Sequence, residues 1–175
     1  MIANDFVFEL SIDLDFKKIK DIVLENQFNI IENIASHQRL VKDSEYLSSV
    51  RDKYPFLCKE YNIYTIQGKR NIPIHIDAER SCALNIPIEN TRHTSTIFYQ
   101  LEDDTELEYV ESRVYNLVKT PVKEIFRFSL IKPTIINNKV PHSVINYTAN
   151  PRIVLSWSIQ KEYDFKTITS LMGML

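Results

Sequence analysis

The sequence predicts a mainly β protein, a closed β-sandwich or jelly roll with helices packed on its outside, on three observations. About eight segments read as strands, six or more of them after residue 60 with turn signals between, which favours a sandwich over any alternating βαβ plan. Helical spacing of apolar residues is confined to the first sixty residues and a short C-terminal stretch. The 175 residues are 44% hydrophobic, enough to bury a core without disulfides, yet contain only Gly68 and Gly173. Walker A and GxGxxG phosphate loops and GxSxG elbows, which all need several glycines, are thereby excluded.

The elements follow in order. Residues 5–12 (DFVFELSI) alternate apolar and polar and predict an opening strand. Asp13 or Asp15 caps a helix over 14–24, where Phe16, Ile19, Ile22 and Val23 recur at helical spacing. Residues 26–41 fit neither period, and His37 within them reads as an exposed side chain. A second helix over 42–54 ends at Pro55, and 61–67 opens the barrel, with a turn at 68–71. Strands follow over 82–88 and 94–101, then an acidic turn at Asp103 and Asp104, an aromatic and β-branched run to Val118, and an alternating strand over 122–131. Residues 162–175 predict a short closing helix whose Met172 and Met174 pack. The expectation is one domain: 1–60 as N-terminal strand and helices, 61–160 as the β core, 161–175 as a C-terminal segment.

Composition narrows the function. A net charge of −2 gives no general reason to expect nucleic-acid binding. Cys58 and Cys82 lack the paired spacing of a disulfide framework or cysteine zinc site. Asp5 and Glu9 sit where a secretory signal needs basic residues, and no apolar run approaches the roughly 20 residues of a membrane span, so a soluble cytoplasmic protein without a membrane partner is expected.

Chemistry concentrates in residues 72–88, IPIHIDAERSCALNIPI. On a strand Ile72, Ile74 and Ile76 point one way, while His75 and Asp77 share the other face, roughly 7 Å apart along the backbone. An imidazole and a carboxylate so placed are two thirds of a 2-His-1-carboxylate facial triad, the ligand set of non-haem Fe(II) oxygenases. Of the other histidines, His142 in PHSVIN has the suitable surroundings. Pairing 142–146 with 152–159 as a hairpin about Ala149 sets Asn146 opposite Arg152, Val144 opposite Val154 and His142 opposite Ser156. Arg152, Val154, Ser156 and Ser158 then line a cavity, and Ile153, Leu155, Trp157 and Ile159 face a covering layer. Arg152 lies roughly 13 Å along the hairpin from His142 at strand rise, a gap that a five-carbon diacid and an extended arginine span.

HID at 75–77, PHSVIN at 141–146 and Arg152 ten residues beyond His142 resemble the HxD, distal His and downstream Arg of the Fe(II)/2-oxoglutarate-dependent oxygenases. The resemblance covers roughly residues 61–160 and looks closest to small single-domain members, including the aspartyl/asparaginyl β-hydroxylase-like branch and phage-type proteins. It implies a double-stranded β-helix, with His75, Asp77 and His142 binding iron as the catalytic centre and Arg152 holding the distal carboxylate of 2-oxoglutarate. The implied reaction uses O2 to decarboxylate the keto acid to succinate and hydroxylates an amino-acid side chain, free or in a peptide. This chain has Val154 where many members carry Ser or Thr, so another donor must serve that carboxylate, and Asn85 is a candidate for the other end of the co-substrate.

Tyr64 and Ser156 are further candidates to line the co-substrate site, and Arg80, Arg92, Tyr99 and Arg127 to meet substrate. His93 reads as a surface residue. Two rivals stand beside the oxygenase: a cupin-like protein that binds a metal or ligand without oxygenase activity, and a metal-free assembly module.

Overall fold

The computed structural model describes residues 4–25, 35–39, 44–110, 115–119 and 122–173. The strands are β1 (Val7–Glu9), β2 (Ala35–Arg39), β3 (Leu57–Ile66), β4 (Asn71–Asp77), β5 (Cys82–Glu89), β6 (Thr94–Gln100), β7 (Leu107–Val110), β8 (Tyr115–Val118), β9 (Lys123–Phe128), β10 (Thr134–Asn137), β11 (His142–Asn146) and β12 (Arg152–Ile159). The helices are α1 (Phe16–Glu25), α2 (Glu45–Lys53) and α3 (Phe165–Gly173).

Two six-stranded antiparallel sheets face each other, in the orders β1-β10-β5-β12-β3-β2 and β7-β8-β4-β11-β6-β9. From β3 the chain crosses repeatedly between them: β3, β5, β10 and β12 lie in the first sheet, and β4, the run β6 to β9, and β11 in the second. That winding is a double-stranded β-helix. None of its helices, among the described residues, is long and apolar enough to cross a membrane.

The outside of the first sheet carries one core. Ile153, Leu155, Trp157 and Ile159 of β12 pack with Leu84 and Ile86 of β5 against Ile19 and Val23 of α1, Leu47 and Val50 of α2, and Phe165 and Ile168 of α3. Trp157 is fully buried, edge-on to Tyr61, and donates its indole N–H to the Cys58 carbonyl at 2.7 Å. Asp15 caps α1 by accepting the Lys18 N–H, and Asp164 caps α3 through Thr167. Phe16, counted with the buried stripe on spacing, is 43% exposed, because it stands in the first helical position beside the cap. Met172 packs against this core; Met174 lies outside the described residues.

Between the sheets a second core, Val7, Phe98, Phe128, Leu130, Ile136 and Val154, is joined by Phe6 and Phe126. It fills part of the interior with stacked rings and leaves the remainder to polar side chains.

Several expectations need correction. Among the described residues there are twelve strands rather than about eight, and the run ending at Val118 includes the antiparallel pair β7 and β8. The first barrel strand begins at Leu57 rather than Tyr61, and 35–39 pair with β3 as a strand; 26–34, 40–43 and the His37 side chain lie outside the described residues. Most consequentially, β11 and β12 do not pair. β11 bonds to β4 and β6 in one sheet, β12 to β3 and β5 in the other. Asn146 carries the crossing: its amide donates to the Ile66, Gln67 and Asn150 carbonyls while its oxygen accepts from Thr148. The face assignments survive, because both strands still turn the predicted side chains into the shared interior.

Gly68 lies where the turn after β3 meets the turn after β11, and a Cβ there would run into the Ala149 carbonyl. Lys69 N–H to Thr148 O at 2.8 Å ties the same turns together. Gly68→Ala is therefore expected to destabilise by about 2 to 3 kcal/mol, the upper range for overpacking, since rigid backbone must move. Trp157, the only tryptophan, reports this in a urea melt, and a midpoint equal to wild type would refute the close approach.

Candidate metal centre

His75 and Asp77 point inward from the end of β4, and His142 from the start of β11, where His142 is the direct register partner of His75. The three are 7, 8 and 7% exposed, and one ligand atom from each lies within 4.8 Å of the others. Each imidazole is oriented from behind: His75 Nδ1 lies 2.8 Å from the Pro73 carbonyl and His142 Nδ1 2.9 Å from that of Val140. A nitrogen against a carbonyl must carry the proton, so both Nε2 atoms keep their lone pairs for the interior.

Asp77 is oriented as firmly. Its Oδ2 accepts from Arg80 Nε at 3.0 Å, Arg80 Nη2 at 2.6 Å and Asn138 Nδ2 at 2.8 Å. Its Oδ1 lies 3.7 Å from His75 Nε2. Burial works to raise the Asp77 pKa, but Arg80 and the two imidazoles outweigh it and the net shift is downward, so the carboxylate stays ionised. Two neutral imidazoles with inward lone pairs and one carboxylate oxygen suit a divalent metal, and these residues would hold it.

Burial, with His142 beside it, lowers the His75 pKa from 6.5 to about 4; burial lowers His142 as well. An unfolded chain takes up a proton near pH 6.5 that folded His75 refuses until about pH 4, so the unfolded state binds more protons in that window and stability rises with pH. Metal-free protein is thus expected to lose about 3 kcal/mol as pH falls from 6.5 to 4, at 1.36 kcal/mol per pH unit. Urea melts of chelator-treated protein across that range check it, and a His75→Asn variant should show a flatter profile.

The interior continues from the triad to Arg152 at the start of β12, 4% exposed. Burial alone lowers its pKa from 12.5 to about 10, so it remains charged at neutral pH. Its one hydrogen bond among the described residues is Nε to Thr94 Oγ1 at 3.2 Å, and no carboxylate pairs with it there. Thr94, Thr96 and Phe98 share the inner face of β6, and Thr96 is 3% exposed with no hydrogen-bond partner among the described residues. A buried guanidinium with no counter-ion among the described residues carries a desolvation cost that nothing described there offsets.

The other sequence candidates divide. Asn85 and Ser156 are register partners on the inner face of the first sheet, and Ser156 Oγ accepts from Arg80 Nη1 at 3.2 Å. Tyr64 faces inward from β3 with the Arg80 guanidinium 5.5 Å over its ring; burial raises its pKa and keeps the phenol neutral. Arg80 is placed against Asp77 rather than open to a substrate anion. Arg92 and His93 are exposed on the turn between β5 and β6. Arg127 is exposed and held by Glu124 at 2.8 Å and Tyr147, and Tyr99 bonds Ser143 at 2.9 Å on the face of β6 and β11 opposite to His142. The structure brings none of these last four to the triad. Sequence pattern does not mark Arg80 as a support, nor Asn138, Thr94 and Thr96 as site residues. Arg80's spacing of three from Asp77 was the one available signal.

No family model and no curated protein matches the chain. Among solved structures it is similar to vicilin from Corylus avellana (hazelnut), at 10% identity and TM-score 0.42 over 78% of this chain and 32% of that one. Bacillus subtilis oxalate decarboxylase is 9% identical at TM-score 0.41, over 80% of this chain and 29% of that one. A Streptococcus pyogenes protein of unknown function is 12% identical at TM-score 0.38, over 93% of this chain and 100% of that one. The chain spans about a third of the length of the first two. Likenesses this distant say nothing about activity, and the fold assignment stands on the strand order.

Proposed function

We propose that the protein is an Fe(II)/2-oxoglutarate-dependent dioxygenase that hydroxylates an amino-acid side chain, free or within a peptide. The observation that carries this reading is the Arg152 guanidinium, which has no carboxylate partner among the described residues, in the same interior as the His75, Asp77 and His142 cluster. A metal site alone fits many proteins. A metal site sharing its chamber with a buried cation that has no anion partner among the described residues fits one whose co-substrate brings a carboxylate to each end.

Bound iron would supply the activation of O2 and the coupled decarboxylation of the keto acid. His75, Asp77 and His142 present one face of ligands and leave the opposite side to reactants. Arg152 offers its planar fork to the distal carboxylate, and the Thr96 hydroxyl takes the part that Val154 cannot play. Asn85 and Tyr64 line the interior across from the triad, where neutral donors orient a keto acid without adding charge. The phenylalanine-rich core beside His142 limits water around the reacting atoms.

The test is turnover. Purified protein with Fe(II), ascorbate and 2-oxoglutarate is expected to form succinate, slowly without the prime substrate and faster with it, as read by mass spectrometry. Folded protein that binds Fe(II) yet forms no succinate with any amino acid or peptide offered would favour the metal-binding cupin-like reading instead.

A further inference from the structure

We propose that Arg80 and Asn138 preset Asp77 to bind a divalent metal through Oδ1 alone, by holding Oδ2 back and tying it to the opposite sheet. The inference rests on the metal-centre reading and is independent of which reaction follows. A free carboxylate swings about its terminal torsion and binds cations through one oxygen or both. Here three donors converge on Oδ2, from two directions, and none among the described residues reaches Oδ1.

The clamp has a foundation on each side. Arg80 continues from Asp77 to Ser156 Oγ on β12 and to the Tyr64 ring and hydroxyl on β3, so one guanidinium spans from the second sheet to the first. On the other side the loop between β10 and β11 is stitched to the end of β4. Asp77 N–H donates to the Asn138 carbonyl at 3.1 Å and Asn138 N–H to that of Ser81 at 3.0 Å. Lys139 Nζ donates to the Asp77 and Ala78 carbonyls at 3.0 and 2.7 Å. That loop leads directly into His142, so one short segment places a ligand and orients another.

The geometry explains why arginine stands here. Nε and Nη2 grip the same oxygen while Nη1 reaches Ser156, a three-way arrangement a lysine ammonium on a flexible stem does not reproduce. Arg80 also neutralises the Asp77 charge, leaving a bound divalent ion more of its own charge with which to draw anionic ligands.

Anaerobic titration of chelator-stripped full-length protein with Co(II) tests this, reading both affinity and the d–d absorption band, with no turnover involved. Arg80→Met and Asn138→Ala are each expected to weaken Co(II) binding about 10- to 100-fold and to change the shape of the band, because each removes part of the hold on Oδ2 and loosens the orientation of Asp77. Arg80→Lys is expected to recover part of the affinity but not the band. Wild-type affinity and band in Arg80→Met would overturn the proposal, as would full recovery of both by Arg80→Lys, which would make Arg80 a charge and nothing more. Metal-free melts followed by Trp157 establish that each variant folds; if Arg80→Met does not, Asn138→Ala decides from the other side of Oδ2. Wild-type protein that binds no Co(II) overturns the metal-centre reading and this inference together, whereas Co(II) binding without succinate formation overturns only the oxygenase reading.

Discussion

His142→Ala is expected to abolish metal-dependent stabilisation and to lower succinate formation at least about a thousandfold, equivalent to roughly 4 kcal/mol of barrier at 1.36 kcal/mol per decade. His142 is the candidate ligand delivered by β11; the other two come from β4. Without it the remaining pair lies along one strand and no longer defines a face. The loss must be separated from unfolding, because His142 is buried and its Nδ1 occupies the Val140 carbonyl. Removing it strands that acceptor and opens a small cavity, at a cost of about 1 to 3 kcal/mol. The discriminating measurement is therefore the metal-induced shift in the melt rather than the melt itself. Wild type at a hundredfold excess of metal over Kd is expected to gain about 2.7 kcal/mol, and His142→Ala none. Survival of the full shift in His142→Ala would remove that residue from the site.

What could be read in advance, and what could not, divides along physical lines. Alternation on a strand is a local property, so the shared face of His75 and Asp77 and the split of β12 into Arg152, Val154, Ser156 against Leu155, Trp157 needed only the period of two. Pairing partners are not local. A short turn at 147–151 between two strand-like segments argues for a hairpin, but β12 finds partners in β3 and β5, and Asn146 spends its side chain on carbonyls across the gap between sheets. Residue types in order predict the convergence of His75 with His142, and the structure supplies the register that lets them meet. Asn138 and Thr94 carried no comparable signal: an asparagine in a loop and a threonine in a strand are ordinary, and only the fold sets one on Asp77 and the other on Arg152.

Arg152→Met is expected to make the protein more stable and unable to bind 2-oxoglutarate. The guanidinium is fully charged at neutral pH, yet burial has lowered its pKa from 12.5 to about 10, a penalty on the charged form of about 3 kcal/mol at 1.36 kcal/mol per unit. Against that stands, among the described residues, one hydrogen bond to Thr94, contributing about 1 kcal/mol. Methionine fills much of the same volume without charge, so a net gain of about 1 to 2 kcal/mol is expected in the metal-free melt. In wild type loaded with a redox-inert divalent metal, added 2-oxoglutarate should raise the melting midpoint; in Arg152→Met it should not, and calorimetry should show affinity down by about a hundredfold or more, the loss of a charge-assisted contact of about 3 kcal/mol. Arg152→Lys separates charge from shape, since it keeps the cation and loses the fork, and an intermediate affinity is expected. If Arg152→Met instead destabilises the fold and leaves 2-oxoglutarate binding intact, the buried cation is structural and the chamber is not a dicarboxylate site.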